Sequence, residues 1–124
     1  MATIAWIISQ PIRSVIVASV TLANGDKSTD LELPNYPQKT IEISGTFGVG
    51  GTINVRGKNI TNATPANYFA LDVHDSDATA STLTARVAAA LARIIQNPRF
   101  ILADVSAGDG TTSLVVTVVA AREG

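Results

Sequence analysis

Hydrophobic and polar residues alternate over several short stretches of this chain, the period of two that a β-strand shows when one face is buried. The pattern is clearest over residues 39–47, where Ile41, Ile43 and Phe47 share one face and Thr40, Glu42, Ser44 and Thr46 the other. Gly45 stands in the inward series, which marks a bulge or the close approach of another element. After Gly48-Val49-Gly50-Gly51 the run 52–56 turns Ile53 and Val55 inward, and the two runs together predict a hairpin. Residues 14–22 are rich in β-branched side chains and read as a strand ended by the turn pair Asn24-Gly25. Shorter strands are expected at 29–33, stopped by Pro34, and at 68–73, while residues 3–8 read as a strand or arm before Pro11.

Two further runs, 100–105 and 114–119, are apolar on both faces. That places them in the centre of a sandwich or against a neighbouring subunit, with Gly108-Asp109-Gly110 as a hairpin turn between them. One segment follows a different period: Leu83, Val87, Leu91 and Ile95 recur every four residues with Ile94 beside them. This spacing predicts an amphipathic helix of about four turns. Ser81 or Thr82 would cap it, Asn97-Pro98 would end it, and Ala85, Ala89 and Ala92 would lie on its outer side. The expected fold is mainly β, an antiparallel β-sandwich or jelly-roll-like domain with one amphipathic α-helix, divided into an N-terminal arm or edge strand (1–13) and a single domain (14–124).

Composition changes the picture in one respect. Only 15% of the 124 residues are charged while 46% are hydrophobic, against roughly 25% charged in ordinary soluble domains. So few charges favour an exterior partly covered by other subunits. A homo-oligomer is therefore expected. A formal net charge of −1 with no basic run argues against nucleic acid as a partner. With no cysteine there is no disulfide framework, thiolate nucleophile or cysteine-based zinc site. The first ten residues lack a basic region ahead of their apolar centre, and no apolar run approaches the roughly 18 residues of a membrane span. The expectation is a chain made in the cytoplasm with no membrane partner.

Candidate chemistry is sparse. The only histidine, His74, sits beside Asp72, Asp75 and Asp77, but the spacing lacks the turn glycine and closing Glu of a calcium loop, and one imidazole does not make a zinc site. Asp77 reads better as a helix-capping residue. The glycines at 48, 50 and 51 lie between two strands, so no helix N-terminus is offered to a phosphate. Asp104 interrupts an apolar strand and reads as a structural partner for Arg99 or an arginine of the expected helix. A Gly-x-Ser-x-Gly elbow is missing, and no serine or threonine has a base placed beside it by sequence. The chain reads as a non-enzyme without cofactor or metal.

The succession of Leu22-Ala23-Asn24-Gly25-Asp26, Leu31-Glu32-Leu33-Pro34-Asn35-Tyr36, Ile43-Ser44-Gly45-Thr46-Phe47-Gly48, Asn97-Pro98-Arg99-Phe100-Ile101 and Ala107-Gly108-Asp109-Gly110-Thr111-Thr112-Ser113-Leu114 resembles small virion proteins of tailed bacteriophages, in particular capsid decoration (cement) proteins. The resemblance covers about residues 15 to 124. It implies a structural role on the outer surface of a phage capsid, with the major capsid protein as partner and a trimer as the favoured assembly. The segment 57–68 departs from the family pattern, so a contact made there by relatives does not transfer. Partner contacts are expected from Trp6, Ile7 and Ile8 in the N-terminal arm and from the loops holding Tyr36, Asn59, Asn62 and Tyr68. The alternatives are a carbohydrate- or host-surface-binding β module, for which Trp6, Tyr36 and Tyr68 are the available platforms, and a head–tail component.

Overall fold

The structure, a computed structural model, describes residues 3–12, 14–33, 36–59, 68–75, 80–94 and 98–122. These form thirteen strands in chain order: β1 (Thr3–Ile4), β2 (Ile7–Ile12), β3 (Val15–Ala23), β4 (Lys27–Ser28), β5 (Leu31–Glu32), β6 (Gln38–Thr46), β7 (Thr52–Lys58), β8 (Phe69–Ala70), β9 (Asp72–Asp75), β10 (Ala80–Thr82), β11 (Ala90–Ile94), β12 (Phe100–Ala107) and β13 (Ser113–Ala121). They make two sheets. The first runs β1-β4-β12-β7-β8, with β5 also paired to β12, and the second runs β10-β9-β11-β6-β13-β3-β2. All pairings are antiparallel except β1 with β4.

The inward positions read from the sequence form the core between these sheets. Ile53 and Val55 of β7 and Ile101, Ala103 and Val105 of β12 share one cluster with Ile41 and Ile43 of β6, Leu114, Val116 and Val118 of β13, and Ala18, Val20 and Leu22 of β3. Each is at most 2% exposed. β12 is buried on its other face too, through Phe100 and Leu102, as its apolar character on both sides predicts.

Strand positions agree with the expected ones, but their partners do not. β12 and β13 lie in different sheets, and so do β6 and β7. Neither glycine-rich turn closes a hairpin. Each carries the chain across the sandwich, so that consecutive strands pack side chain to side chain through the core. Asp109 joins the two crossings: its carboxylate accepts hydrogen bonds from Val49 N at 2.9 Å, Thr111 N at 2.9 Å and Thr111 Oγ1 at 2.7 Å. Thr112 Oγ1 donates to Phe47 O at 2.8 Å from the same knot. Gly45 has φ of 107°, and an added Cβ would stand 2.3 Å from Ser113 O of the paired strand β13, which is the close approach its position announced.

The expected amphipathic helix is absent: the described residues contain no helix, and 90–94 form strand β11 between β9 and β6. The cause lies in the neighbours of its first turn. Leu83 O accepts from Val55 N and Leu83 N donates to Leu71 O, while Arg86 exchanges both backbone bonds with Ile53. Ala85, at φ 56°, donates its N–H to Asn54 Oδ1 at 2.7 Å. Groups that would begin an i→i−4 ladder are committed to β7 instead. Further on, burial follows a period of two: Ala92 and Ile94 are inside, whereas Leu91 is 56% exposed. Ile95 and the expected cap Asp77 lie outside the described residues. Alanine-rich composition is a weak prior, and here the pairing of β11 on both edges overrides it.

Candidate functional site

Residues 3–12 are held by both sheets. β1 pairs with β4 in the first sheet, and Thr29 N closes the join by donating to Ile4 O at 2.9 Å. β2 pairs with β3 in the second, in the register Ile7↔Ser19, Ile8↔Ala18 and Ser9↔Val17, with a shift before Ile12↔Val15 that absorbs Pro11. Trp6 stands between the two strands. It is 8% exposed and its Nε1 donates to Thr29 O at 2.8 Å. An indole with its N–H satisfied and its ring in the core fixes where β2 begins.

The consequence is an edge strand with an unusual surface. β2 is the last strand of its sheet and has no partner on its outer side among the described residues. Ile7 is 73% and Ile8 56% exposed, and no charged residue occurs from Thr3 to Ile12. Natural sheets usually guard such edges with charge, proline or a bulge. This edge has the proline and the register shift at one end and only apolar or neutral side chains at the other. The outer face beside it continues the character, with Val17 and Val119 in adjoining register and Leu91 further across.

The other predicted contact residues are placed differently. Tyr68 is buried; its hydroxyl donates to the Asp30 carboxylate, and Lys58 Nζ lies 4.6 Å from its ring centroid. Burial, reinforced by Asp30, pushes the Tyr68 hydroxyl above its usual range, so it stays protonated and structural. Tyr36 is half-buried, with the Arg122 guanidinium 5.9 Å from its ring. Asn59 is exposed but uses its Oδ1 to accept from Arg99 N at 2.8 Å. Asn62 lies outside the described residues. Of the predicted set, Ile7 and Ile8 are the exposed apolar pair, Ile7 on the face of Ser19 and Ile8 on the face of Ala18. Trp6 and Tyr68, two of the three aromatic residues available for a glycan platform, are turned into the protein.

Polar groups elsewhere serve the fold. Asp104 meets Arg56 Nη1 at 3.5 Å rather than Arg99, which pairs with Glu32 at 2.7 Å. Asn54 Nδ2 donates to Ser106 Oγ at 3.1 Å. Asp109 is held down to about 2 by the hydrogen bonds of Thr111, Val49 and Thr112. Among the described residues no three His, Cys, Asp or Glu side chains gather to hold a metal ion, and no helix is long and apolar enough to cross a membrane. Sequence reasoning missed Lys39. It is 2% exposed, and its ammonium donates to Tyr36 O at 2.5 Å. The signal was present: Lys39 has the same parity as the buried Ile41 and Ile43.

No family description and no curated protein matches the chain. The fold is shared with a solved structure, the SPBc2 prophage-derived protein YomS, at a TM-score of 0.64 and 14% identity, over 90% of this chain and 98% of that one. A cupin domain from Bordetella pertussis aligns over 98% of this chain and 96% of its own at a TM-score of 0.41 and 9% identity.

Proposed function

We propose that this protein is a structural component of a bacteriophage particle that attaches to the outer surface of the capsid and bridges neighbouring coat subunits. The observation that carries the reading is the uncharged edge strand β2, which pairs on its outer side with no strand among the described residues and exposes Ile7 and Ile8, while Trp6 and β3 hold it in place. Such an edge offers a partner backbone hydrogen bonds and an apolar side chain on each face at little ordering cost. Low charge over the whole chain, the decoration-protein resemblance of the turn motifs and a fold shared with a prophage-derived protein agree with it. The mechanism is mechanical: rupture of the shell must also break the added contacts, and many small contacts on a lattice sum through multivalency.

The test is to purify particles carrying the protein and image them by electron microscopy, alongside the doubly substituted Ile7→Lys, Ile8→Lys protein. Density for the native protein on the capsid exterior that disappears with the double variant, at an unchanged melting temperature, supports the reading. Particles without the protein on the shell refute it.

A further inference from the structure

In the second sheet β3, β13, β6 and β11 lie side by side. Their outward positions hold mostly Val, Thr and Ser, with Leu91 56% and Val119 40% exposed. Glu42 and Arg93 are the only charged residues among these outward positions, and both are exposed. Neither has an ion-pair or hydrogen-bond partner among the described residues. Strand pairing sets Leu91 opposite Glu42 and Arg93 opposite Thr40. All four point outward, because Ile41, Ile43, Ala92 and Ile94 are the buried alternates. They mark the corners of a rectangle about 5 Å across the strands and about 7 Å along them. Glu42 and Arg93 occupy one diagonal, Leu91 and Thr40 the other.

We propose that two copies of this chain associate face to face through the outer surface of the second sheet, with Glu42 of each copy paired to Arg93 of the other. The register fixes the symmetry that does this. A two-fold axis lying in the surface along the Leu91–Thr40 diagonal exchanges the two corners of the charged diagonal. It therefore sets Glu42 against Arg93 twice, and brings Leu91 onto Leu91 and Thr40 onto Thr40. An isologous interface needs self-complementarity of this kind. The strands of the two copies cross steeply in this arrangement, near the orthogonal class of sheet packing. Association pairs the face's two lone charges, and covering Leu91 and Val119 removes apolar surface from water. The outer edge of β2 takes no part, so the contact is separate from capsid attachment.

The test is sedimentation equilibrium of the full chain, as wild type and as the charge reversals Glu42→Arg and Arg93→Glu, each alone and the two mixed in equal amounts. Melting temperatures recorded alongside show that the variants fold. Wild type is expected to dimerise with a Kd on the order of 10 µM. Each reversal alone sets like charges together at both contacts and should weaken the dimer about tenfold or more. Mixing the two variants restores both opposite-sign contacts, and a heterodimer of near wild-type affinity should form. Restoration between chains is not produced by any effect of these charges within their own sheet. Leu91→Lys, which meets its own copy at the axis, should weaken the dimer as strongly. The proposal is overturned if wild type stays monomeric at about 200 µM or sediments as a trimer. It is equally overturned if the reversals leave a dimer unchanged, or if the two folded variants fail to restore association on mixing. The Ile7→Lys, Ile8→Lys protein should dimerise as wild type does, so loss of the dimer and loss of capsid attachment are told apart.

Discussion

Replacing Trp6 by alanine separates an anchor reaching out to a partner from a residue that holds the fold. The indole is 8% exposed and belongs to the same cluster as Leu22, Ile43 and Val116. Truncating a buried aromatic side chain to alanine costs about 3–5 kcal/mol, through lost transfer energy and an incompletely collapsed cavity. The bond from Nε1 to Thr29 O contributes about 1 kcal/mol of that sum and leaves a carbonyl short of a donor. Against a total stability of about 5–15 kcal/mol for a domain of this size, this is a large share. It corresponds to a fall in melting temperature of about 10–20 °C. Thermal denaturation followed by far-ultraviolet circular dichroism measures it without depending on the lost fluorophore. Trp6→Phe keeps most of the buried area and loses the donor, so it should fall between wild type and Trp6→Ala. Ile7→Ala, on the exposed side of the same segment, should shift stability by no more than about 0.5 kcal/mol. A Trp6→Ala protein melting within about 3 °C of wild type would refute the placement of the indole in the core.

Other perturbations probe the crossings and the buried lysine. Gly45→Ala forces a Cβ to within 2.3 Å of Ser113 O at φ 107°, and should lower stability by about 2 kcal/mol or more in urea titration. Asp109 is depressed from 3.8 to about 2; its stabilising effect is complete above the unfolded value and is lost as pH falls through about 2. Melting temperature should therefore fall more steeply between pH 4 and 2 in wild type than in Asp109→Asn. Lys39 behaves in the opposite sense. Its folded value of about 8 lies below the unfolded 10.5, so the unfolded chain binds more protons between them and stability rises with pH over that window. Lys39→Met should flatten that rise and raise stability at pH 7, as read by denaturant midpoints.

Much of this molecule is visible in its sequence because a strand needs little more than alternation. Ile41 with Ile43, Ile53 with Val55, and Leu114 with Val116 and Val118 all lie inward in the structure, as their period of two requires. The edge strand was legible as far as an apolar arm before Pro11. That Trp6 is core while Ile7 and Ile8 are surface was not, because three adjacent apolar residues carry no period. Two features were decided only in three dimensions. The glycine-rich turns at 48–51 and 108–110 suit a hairpin and a crossing equally well, since both reverse the chain. What selects the crossing is the packing of β7 and β12 across the core from β6 and β13, sealed by Asp109 between the two turns. Residues 83–94 hold a fourfold spacing in Leu83, Val87 and Leu91 and a twofold one in Ala92 and Ile94. Local preference favours the first by fractions of a kcal/mol per residue. The second prevails because β6 and β9 each offer a strand edge, and because Ala92 and Ile94 close the core that those edges border. Alternation along the chain thus determined the strands β6, β7 and β13 and which of their side chains face inward. Tertiary structure decided which strands are neighbours, because pairing energy resides in contacts between segments far apart in sequence.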